Sequence, residues 1–575
     1  MDWWPGPRFD GASVFTRLLD PDAGHFALRA AGTLRTTRRY VDGSLALQTD
    51  HATASGATLR VTDALAFEPG ARGHEIGHRS PQALVRVAEA IGGEARLELE
   101  LVARPEYGLV VPRLEVLDGV VCSIGGPERL YLTGVGDAIE IDGATGRAAL
   151  VLRDGERRGF VLHRAPGPFG APPPLLDPFA ALDSTIAGWR SWGEQHDDYA
   201  GPYAELVDRS ATVLQGCTFQ PTGAVVAAPT TSIPENEGGQ ENWDYRYAWL
   251  RDGSLLARAL LGATCADEGE RYFRWMTRAA VSCPSAAHVQ IVFGAGGERF
   301  LEERELDHLR GFAGSRPVRV GNAAWRQRQL DVLGEVLDVA LALDDGPGLE
   351  IDRYTAAFLC QFADRAAEDW REPDAGMWEE RDRRRHHTIS KALCWVALDR
   401  AVRLGDALGE GAHPDAWARA RDAIRAAVLQ EAFNEDLQAF TGELGGDELD
   451  AAVLLLPLYG FIDAGDPRMR ATVAALEDST LMRDGLLWRL ERLPDQGAFV
   501  PACFWLAANH ALAGDLDAAR ERFGRAAATA NDLGLLAEMF DPDSGALLGG
   551  LPQVLSHVAL ITAARSIQEA EEATR

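Results

Sequence analysis

Between Glu241 and Ser254 the chain reads Glu241-Asn242-Trp243-Asp244-Tyr245-Arg246-Tyr247-Ala248-Trp249-Leu250-Arg251-Asp252-Gly253-Ser254, four aromatic rings and five charges of mixed sign in fourteen positions. A sugar site needs that mixture. A pyranose offers flat C–H faces that stack on indole and phenol rings, and hydroxyls that accept from Arg and donate to Asp. Trp243, Tyr247 and Trp249 are the candidate stacking rings, and Asp244, Arg251 and Asp252 the candidate hydroxyl partners. The competing readings are an aromatic-rich helix start buried in the core, and an Arg251–Asp252 ion pair capping the helix through Leu255, Leu256 and Leu260. Two more acidic segments carry chemistry. In Gly376-Met377-Trp378-Glu379-Glu380-Arg381 the indole can exclude water while a neighbouring negative charge keeps a proton on Glu379. Adjacent side chains diverge, so Glu379 and Glu380 do different work, and a solvated helix turn is the bland alternative. Glu538 stands among Leu535, Leu536 and Met539, where an isolated carboxylate is either a helix cap or a placed base.

These segments need a large scaffold. With 575 residues, 46% of them hydrophobic, the chain can bury a sizeable core and exceeds the usual single-domain length. Before about residue 165 the texture is strand-like: Leu97, Leu99 and Leu101 alternate with Glu98 and Glu100. Val151-Leu152 reads as one arm of a hairpin across Asp154-Gly155 from Phe160-Val161-Leu162, and Asp42-Gly43 and Asp118-Gly119 mark further turns. Together they predict an antiparallel β-sandwich over residues 1–182. Pro166 to Pro174 reads as a stiff, proline-rich linker, followed by a helical connector over 183–204. From 205 to 575 the pattern turns helical: Leu393, Val396, Ala397, Ala401 and Leu404 share one face, and alanine-rich segments such as 416–433, 504–512 and 516–530 follow between Gly and Asp-Pro turns. Spacing alone leaves open whether these helix pairs close into a toroid or stack openly.

Charge and cysteine usage exclude other classes. Asp and Glu number 86 against 57 Lys and Arg, a formal charge of −29 that repels a phosphate backbone, so nucleic acid is not the expected partner. Seven cysteines, Cys122, Cys217, Cys265, Cys283, Cys360, Cys394 and Cys503, form no Cys-x-x-Cys pair, and an odd number cannot all bridge internally. The start, Met1-Asp2-Trp3-Trp4-Pro5-Gly6-Pro7, is neither basic nor apolar, and no later run spans a bilayer, so a cytoplasmic protein without a membrane partner is expected. Gly134-Val135-Gly136 and Gly294-Ala295-Gly296 lack the third glycine of a dinucleotide fingerprint. Asp541-Pro542-Asp543-Ser544-Gly545 is read as a turn, because Pro552 stands at the twelfth position of a would-be calcium loop. His386 and His387 are adjacent rather than four apart, which leaves His387 a structural or sugar-contacting role and no helical metal pair.

The run Ala227-Ala228-Pro229-Thr230-Thr231-Ser232-Ile233-Pro234-Glu235 leading into Asn242-Trp243-Asp244-Tyr245-Arg246-Tyr247-Ala248-Trp249-Leu250-Arg251-Asp252 resembles the signature of glycoside hydrolase family 15, the glucoamylase, glucodextranase and bacterial trehalase family. Further segments resembling the family are Pro7-Arg8-Phe9-Asp10, Leu18 to His25, Gly314 to Asn322, and Gly534-Leu535-Leu536-Ala537-Glu538. The resemblance implies an N-terminal β-sandwich joined by a helical linker to an (α/α)6 barrel of six inner and six outer helices. It also implies Glu379 as general acid, Glu538 as general base, Glu380 as a sugar-hydroxyl acceptor, and Arg251 with Asp252 gripping the terminal glucose. Inverting hydrolysis places an acid and a base about 6.5–9.5 Å apart on opposite faces of the sugar and requires no cofactor. Gln496 stands where relatives often carry Glu, Met539 where a second acid is common, and Gly550-Leu551 where Asn-Phe is frequent. The lost negative charge is expected to lower the pKa of a remaining buried acid. The expected activity is an exo-acting α-glucoside hydrolase that releases β-glucose from a short α-glucan or disaccharide, with malto-, isomaltooligosaccharides and trehalose all open. A scaffold repurposed for glycan binding or biosynthesis, and a glycoside phosphorylase that needs no carboxylate base, are the alternatives.

Overall fold

The computed structural model describes residues 1–167, 173–195, 199–263, 266–281, 289–346, 351–381 and 383–574. Cys265, Cys283 and residues 168–172 of the proline-rich linker lie outside the described residues. Twelve antiparallel strands come first: β1 His25–Ala30, β2 Thr33–Tyr40, β3 Leu47–Thr53, β4 Thr58–Leu65, β5 Ala83–Ile91, β6 Ala95–Val102, β7 Arg113–Leu117, β8 Val120–Ile124, β9 Glu128–Thr133, β10 Ile139–Asp142, β11 Thr145–Leu152 and β12 Arg157–Pro166. They form a four-stranded sheet, β1-β6-β11-β10, and an eight-stranded sheet, β2-β3-β4-β5-β12-β9-β8-β7. Leu97, Leu99 and Leu101 of β6 are buried with Leu59, Leu84, Leu132 and Phe160 from the larger sheet, a core shared by two inner faces. The alternation in β6 is what puts Glu98 and Glu100 on its other face.

Asp42-Gly43 and Asp118-Gly119 do join paired neighbours, β2 to β3 and β7 to β8, and Asp118 and Gly119 both take positive φ (51° and 79°), as a tight hairpin turn demands. The hairpin expected across Asp154-Gly155 is corrected. β11 pairs with β6 and β10, whereas β12 pairs with β5 and β9, so this turn carries the chain from one sheet to the other. Asp154 anchors the crossing by accepting the Gly92 N–H at 2.7 Å, and the Gly155 N–H donates to the Ala90 carbonyl at 2.8 Å.

Helix α1, Pro178–Gly193, starts before Asp183, because Pro178 fits the first helical position and Asp177 caps it by accepting the Ala180 N–H at 2.7 Å. Leu182 on α1 packs with Val85, Val87 and Val161 on the outer face of the larger sheet. The chain divides into two compact units that differ from the expected 1–182, 183–204 and 205–575. One is Met1–Gln195 with Phe219–Pro221 and Leu306–Val318; the other is His196–Thr218 with Thr222–Glu305 and Arg319–Arg575. The late segment belongs to the first unit because the Arg310 N–H donates to Asp20 at 3.0 Å and its guanidinium pairs with Asp20 and Asp22.

The second unit holds α2 Ala204–Gly216, α3 Leu250–Ala263, α4 Ala266–Val281, α5 Asp331–Asp345, α6 Arg353–Asp369, α7 Thr388–Leu404, α8 Pro414–Glu431, α9 Leu455–Leu458, α10 Pro467–Asp478, α11 Val500–Leu512, α12 Leu516–Ala527 and α13 Val554–Thr574. Helices α3, α5, α7, α9, α11 and α13 each pack on the next, and α13 returns to α3, which closes an inner ring of six. The outer six are α2, α4, α6, α8, α10 and α12. Closure explains why α7 is buried on nearly every side, where the apolar spacing read as one face. Small residues let the inner helices approach. A Cβ at Gly334 of α5 would lie 2.2 Å from the Leu393 carbonyl oxygen of α7. Gly334→Ala is therefore expected to push the two backbones apart and lower stability by about 1–3 kcal/mol, read as a fall in Tm by circular dichroism.

Candidate active site

A cavity of about 530 Å³ opens at one end of the helical ring, within the range of ligand pockets. Its walls come from the connections leading into inner helices: Trp243, Trp249 and Arg251 at α3, Asn322 and Gln327 before α5, Trp378, Glu379, Glu380 and Arg381 before α7, Arg489, Gln496 and Phe499 before α11, and Glu538 with Gln553 before α13. A barrel of this kind positions side chains by fixing where each connection begins and ends.

Segment 243–249 is extended rather than a helix start. The Ser232 N–H donates to the Trp243 carbonyl, Ala228 to Tyr245 and Ala227 to Tyr247, at 2.9 to 3.0 Å. With a period of two, Trp243 and Tyr245 turn to the cavity while Asp244 and Arg246 turn away. Asp244 thereby leaves the sugar-contacting set. Its carboxylate is fully buried against Arg246 at 2.7 and 2.8 Å and accepts the Gly321 N–H at 3.1 Å. Tyr247 is also buried and does not line the cavity.

Glu379 sits on a tightly held loop. Its φ of 60° is a left-handed conformation uncommon outside glycine, which stores local strain at this position. Three groups hold it: the Trp249 indole N–H donates to Oε1 at 2.6 Å, Arg251 donates to the Met377 carbonyl at 2.9 Å, and Gln327 donates to the carbonyl of Glu379 at 3.0 Å. Behind the loop, Asp374 accepts from Leu330 N–H (3.0 Å) and Ser390 Oγ (2.8 Å), tying it to α5 and α7. Burial raises the carboxyl pKa of Glu379, opposed by Arg251, which approaches Oε1 at 3.5 Å, and by the indole N–H. Such a group keeps its proton where an ordinary carboxyl has lost it. Arg251 also pairs with Asp252 at 3.2 Å, and both face the cavity.

Trp378 lines the same cavity, its N–H held by Asp450 at 3.0 Å and its ring edge-on to Phe499. Glu380 is also there, its oxygens engaged by Arg492 and, at 3.5 Å, Arg385. Trp243 is overlaid by the guanidinium groups of Arg381 (3.9 Å) and Arg319 (4.6 Å), so at least one of its faces is taken by cations. His387 does not line the cavity. It is buried beneath the loop, its ring 2.5 Å from where a Cβ at Gly376 would stand.

Glu538 lies opposite in sequence and on different elements. It precedes a three-stranded sheet formed by Ala498–Phe499, Met539–Asp541 and Ala546–Leu548, and exchanges backbone hydrogen bonds with Val500 and Gly550 at 3.0 Å. Gly549 admits the carboxylate, since a Cβ there would fall 2.5 Å from Oε2. Burial first, and the charge of Glu235 second, push Glu538 up to about 8, against the pull of Arg489 and Tyr245. Glu235 supplies the negative charge that Gln496 and Met539 lack. Sequence reasoning passed over Glu235, Tyr245 and Arg489; the period-two spacing from Trp243 was the signal for Tyr245, and none marked Arg489.

Among the described residues no group of three or more His, Cys, Asp or Glu is arranged to hold a metal ion, and no helix is long and apolar enough to cross a membrane. The family model of glycosyl hydrolases family 15 matches residues 201–496, and that of the trehalase-like N-terminal domain matches residues 1–167. A trehalase of Mycolicibacterium smegmatis is 35% identical over the whole of this chain and 88% of its own length. A trehalase of Thermoplasma volcanium is 30% identical over 99% of this chain and 90% of its own. A bacterial glucoamylase solved with acarbose has the same fold, with a TM-score of 0.74 at 13% identity over 98% of this chain and 90% of that one. Matched along its length by these relatives and over residues 201–496 by the family model, the chain belongs to glycosyl hydrolase family 15, an α-glucoside hydrolase that joins a trehalase-like β-sandwich to an (α/α)6 barrel.

Proposed function

We infer that this enzyme is an inverting, exo-acting hydrolase of short α-glucosides, with trehalose as its foremost substrate. The observation that carries the reading is that a half-buried carboxylate, Glu379, and a buried one, Glu538, line one cavity from different connections, each with its own set of partners. Glu379 donates its proton to the glycosidic oxygen as the C–O bond breaks, while Glu538 takes a proton from the water that attacks the anomeric carbon from the opposite face. Arg251 and Asp252 hold hydroxyls of the terminal glucose, a planar fork beside an acceptor. Trp378 and Trp249 wall the site, and Glu380 accepts from a hydroxyl further out. Trehalase-named relatives that match the chain almost end to end support trehalose over longer glucans. Five described cysteines, all buried and free, support a cytoplasmic location.

Early-time proton NMR of a panel of trehalose, maltose, isomaltose, maltotriose and panose tests this. Inversion of trehalose is expected to yield one β-glucose and one α-glucose per turnover, before mutarotation equalises them. Two α-glucose molecules would sink inversion, and turnover only with phosphate present would point to a phosphorylase. Silence across the panel and over a broad pH range would leave a binding or biosynthetic scaffold.

A further inference from the structure

The base corner of the cavity contains a carboxylate that the mechanism above does not use. Glu235 is 2% exposed and receives three donors: the Tyr245 hydroxyl to Oε1 at 3.0 Å, and Gln496 Nε2 (2.9 Å) and Arg489 to Oε2. The Gln496 amide is itself oriented, because its oxygen accepts the Arg489 Nε–H at 2.9 Å. The amide accepts from Arg489 and donates to Glu235 from the same place; an ionised carboxylate there could only accept, and would set a second negative charge against Glu235. The Tyr245 hydroxyl also faces Glu538, with which it shares the cavity wall and interacts electrostatically.

A phenol has one proton. While Tyr245 donates it to Glu235, its oxygen offers Glu538 only lone pairs, which suit a protonated carboxyl. When Glu538 is ionised, the proton must turn to Glu538, and Glu235 keeps Arg489 and Gln496 alone. The geometry points to Glu235 as a positioning residue which, clamped by Arg489 and Gln496, competes with Glu538 for the Tyr245 proton and so governs when Glu538 can accept a proton from water. This rests on the assignment of Glu538 as the base. The charged and titratable groups facing Glu538 are Glu235 and Tyr245 from the connection into α3 and Arg489 from that into α11; on its own element the Gly550 N–H approaches Oε2 at 3.3 Å. Their balance agrees with the raised proton affinity of Glu538.

The test is the pH profile of kcat/KM for the full-length enzyme on whichever substrate of the panel it hydrolyses. Glu235→Gln removes the competing charge and leaves Arg489 facing Glu538, so the profile is expected to move to lower pH by about one pH unit. Gln496→Glu adds a charge and moves it to higher pH. Opposite displacements support the proposal. Profiles that stay in place, or move together, overturn it. If Glu235→Gln does not fold, the near-isosteric Gln496→Glu decides alone, by moving up or not. Glu538→Gln is the control: retained activity there would refute the base assignment itself, whereas an inactive Glu538→Gln with unmoved profiles refutes only the role of Glu235.

Discussion

Glu379→Gln is expected to lower kcat on trehalose on the order of 10³-fold, with KM changed only a few-fold. The amide keeps the shape of the side chain and an oxygen for the Trp249 N–H, which lies 2.6 Å from Oε1 in the native site. It has no acidic proton to give. The loss should therefore depend on the leaving group: α-glucosyl fluoride, whose fluoride departs without protonation, should lose far less than trehalose. Glu538→Gln should lose both substrates alike, because water must be deprotonated whatever departs. Steady-state kinetics of both variants on both substrates separate the two roles. Equal losses of trehalose and fluoride turnover in Glu379→Gln would remove it as the acid, and a Glu538→Gln that still hydrolyses trehalose would remove Glu538 as the base.

Asp244→Ala is expected to destabilise the helical unit by about 3–5 kcal/mol, because it strands a buried guanidinium without its counter-charge. Both side chains of the Asp244–Arg246 pair are fully buried, at 2.7 and 2.8 Å, and the Gly321 N–H loses its acceptor as well. The measurement is the denaturant midpoint, or Tm, alongside the KM of whatever enzyme remains folded. A sugar-contacting Asp244 predicts a raised KM with an unchanged midpoint. A buried anchor predicts the reverse, and the geometry favours the anchor.

That pair shows where the sequence was legible and where it was not. The aromatic and charged segment pointed to a sugar site, and Trp243, Trp249, Arg251 and Asp252 do line the cavity with Trp378, Glu379, Glu380 and Glu538. Residue type reports chemistry without direction, so Asp244, Tyr247 and His387 looked equally suitable. Only the tertiary structure sends Asp244 and Tyr247 to the core, through the pairing of 243–249 with 227–232, and sets His387 beneath the loop against Gly376.

The same division holds for the fold. Local physics wrote the strands and helices into the chain: alternation in β6, turn residues at Asp42-Gly43 and Asp118-Gly119, and a proline with an aspartate cap at the start of α1. Partner choice is not local. The turn at Asp154-Gly155 has the composition of a hairpin, yet β11 pairs with β6 and β12 with β5, in different sheets. The sequence by itself determined the elements, the family resemblance and the two acids expected to act. The tertiary structure alone decided that the inner helices close into a ring and that Leu306–Val318 returns to the first unit. It alone brought Glu235, Tyr245, Arg489 and Gln496 together around Glu538, since charges hundreds of positions apart interact only once packing removes the water between them.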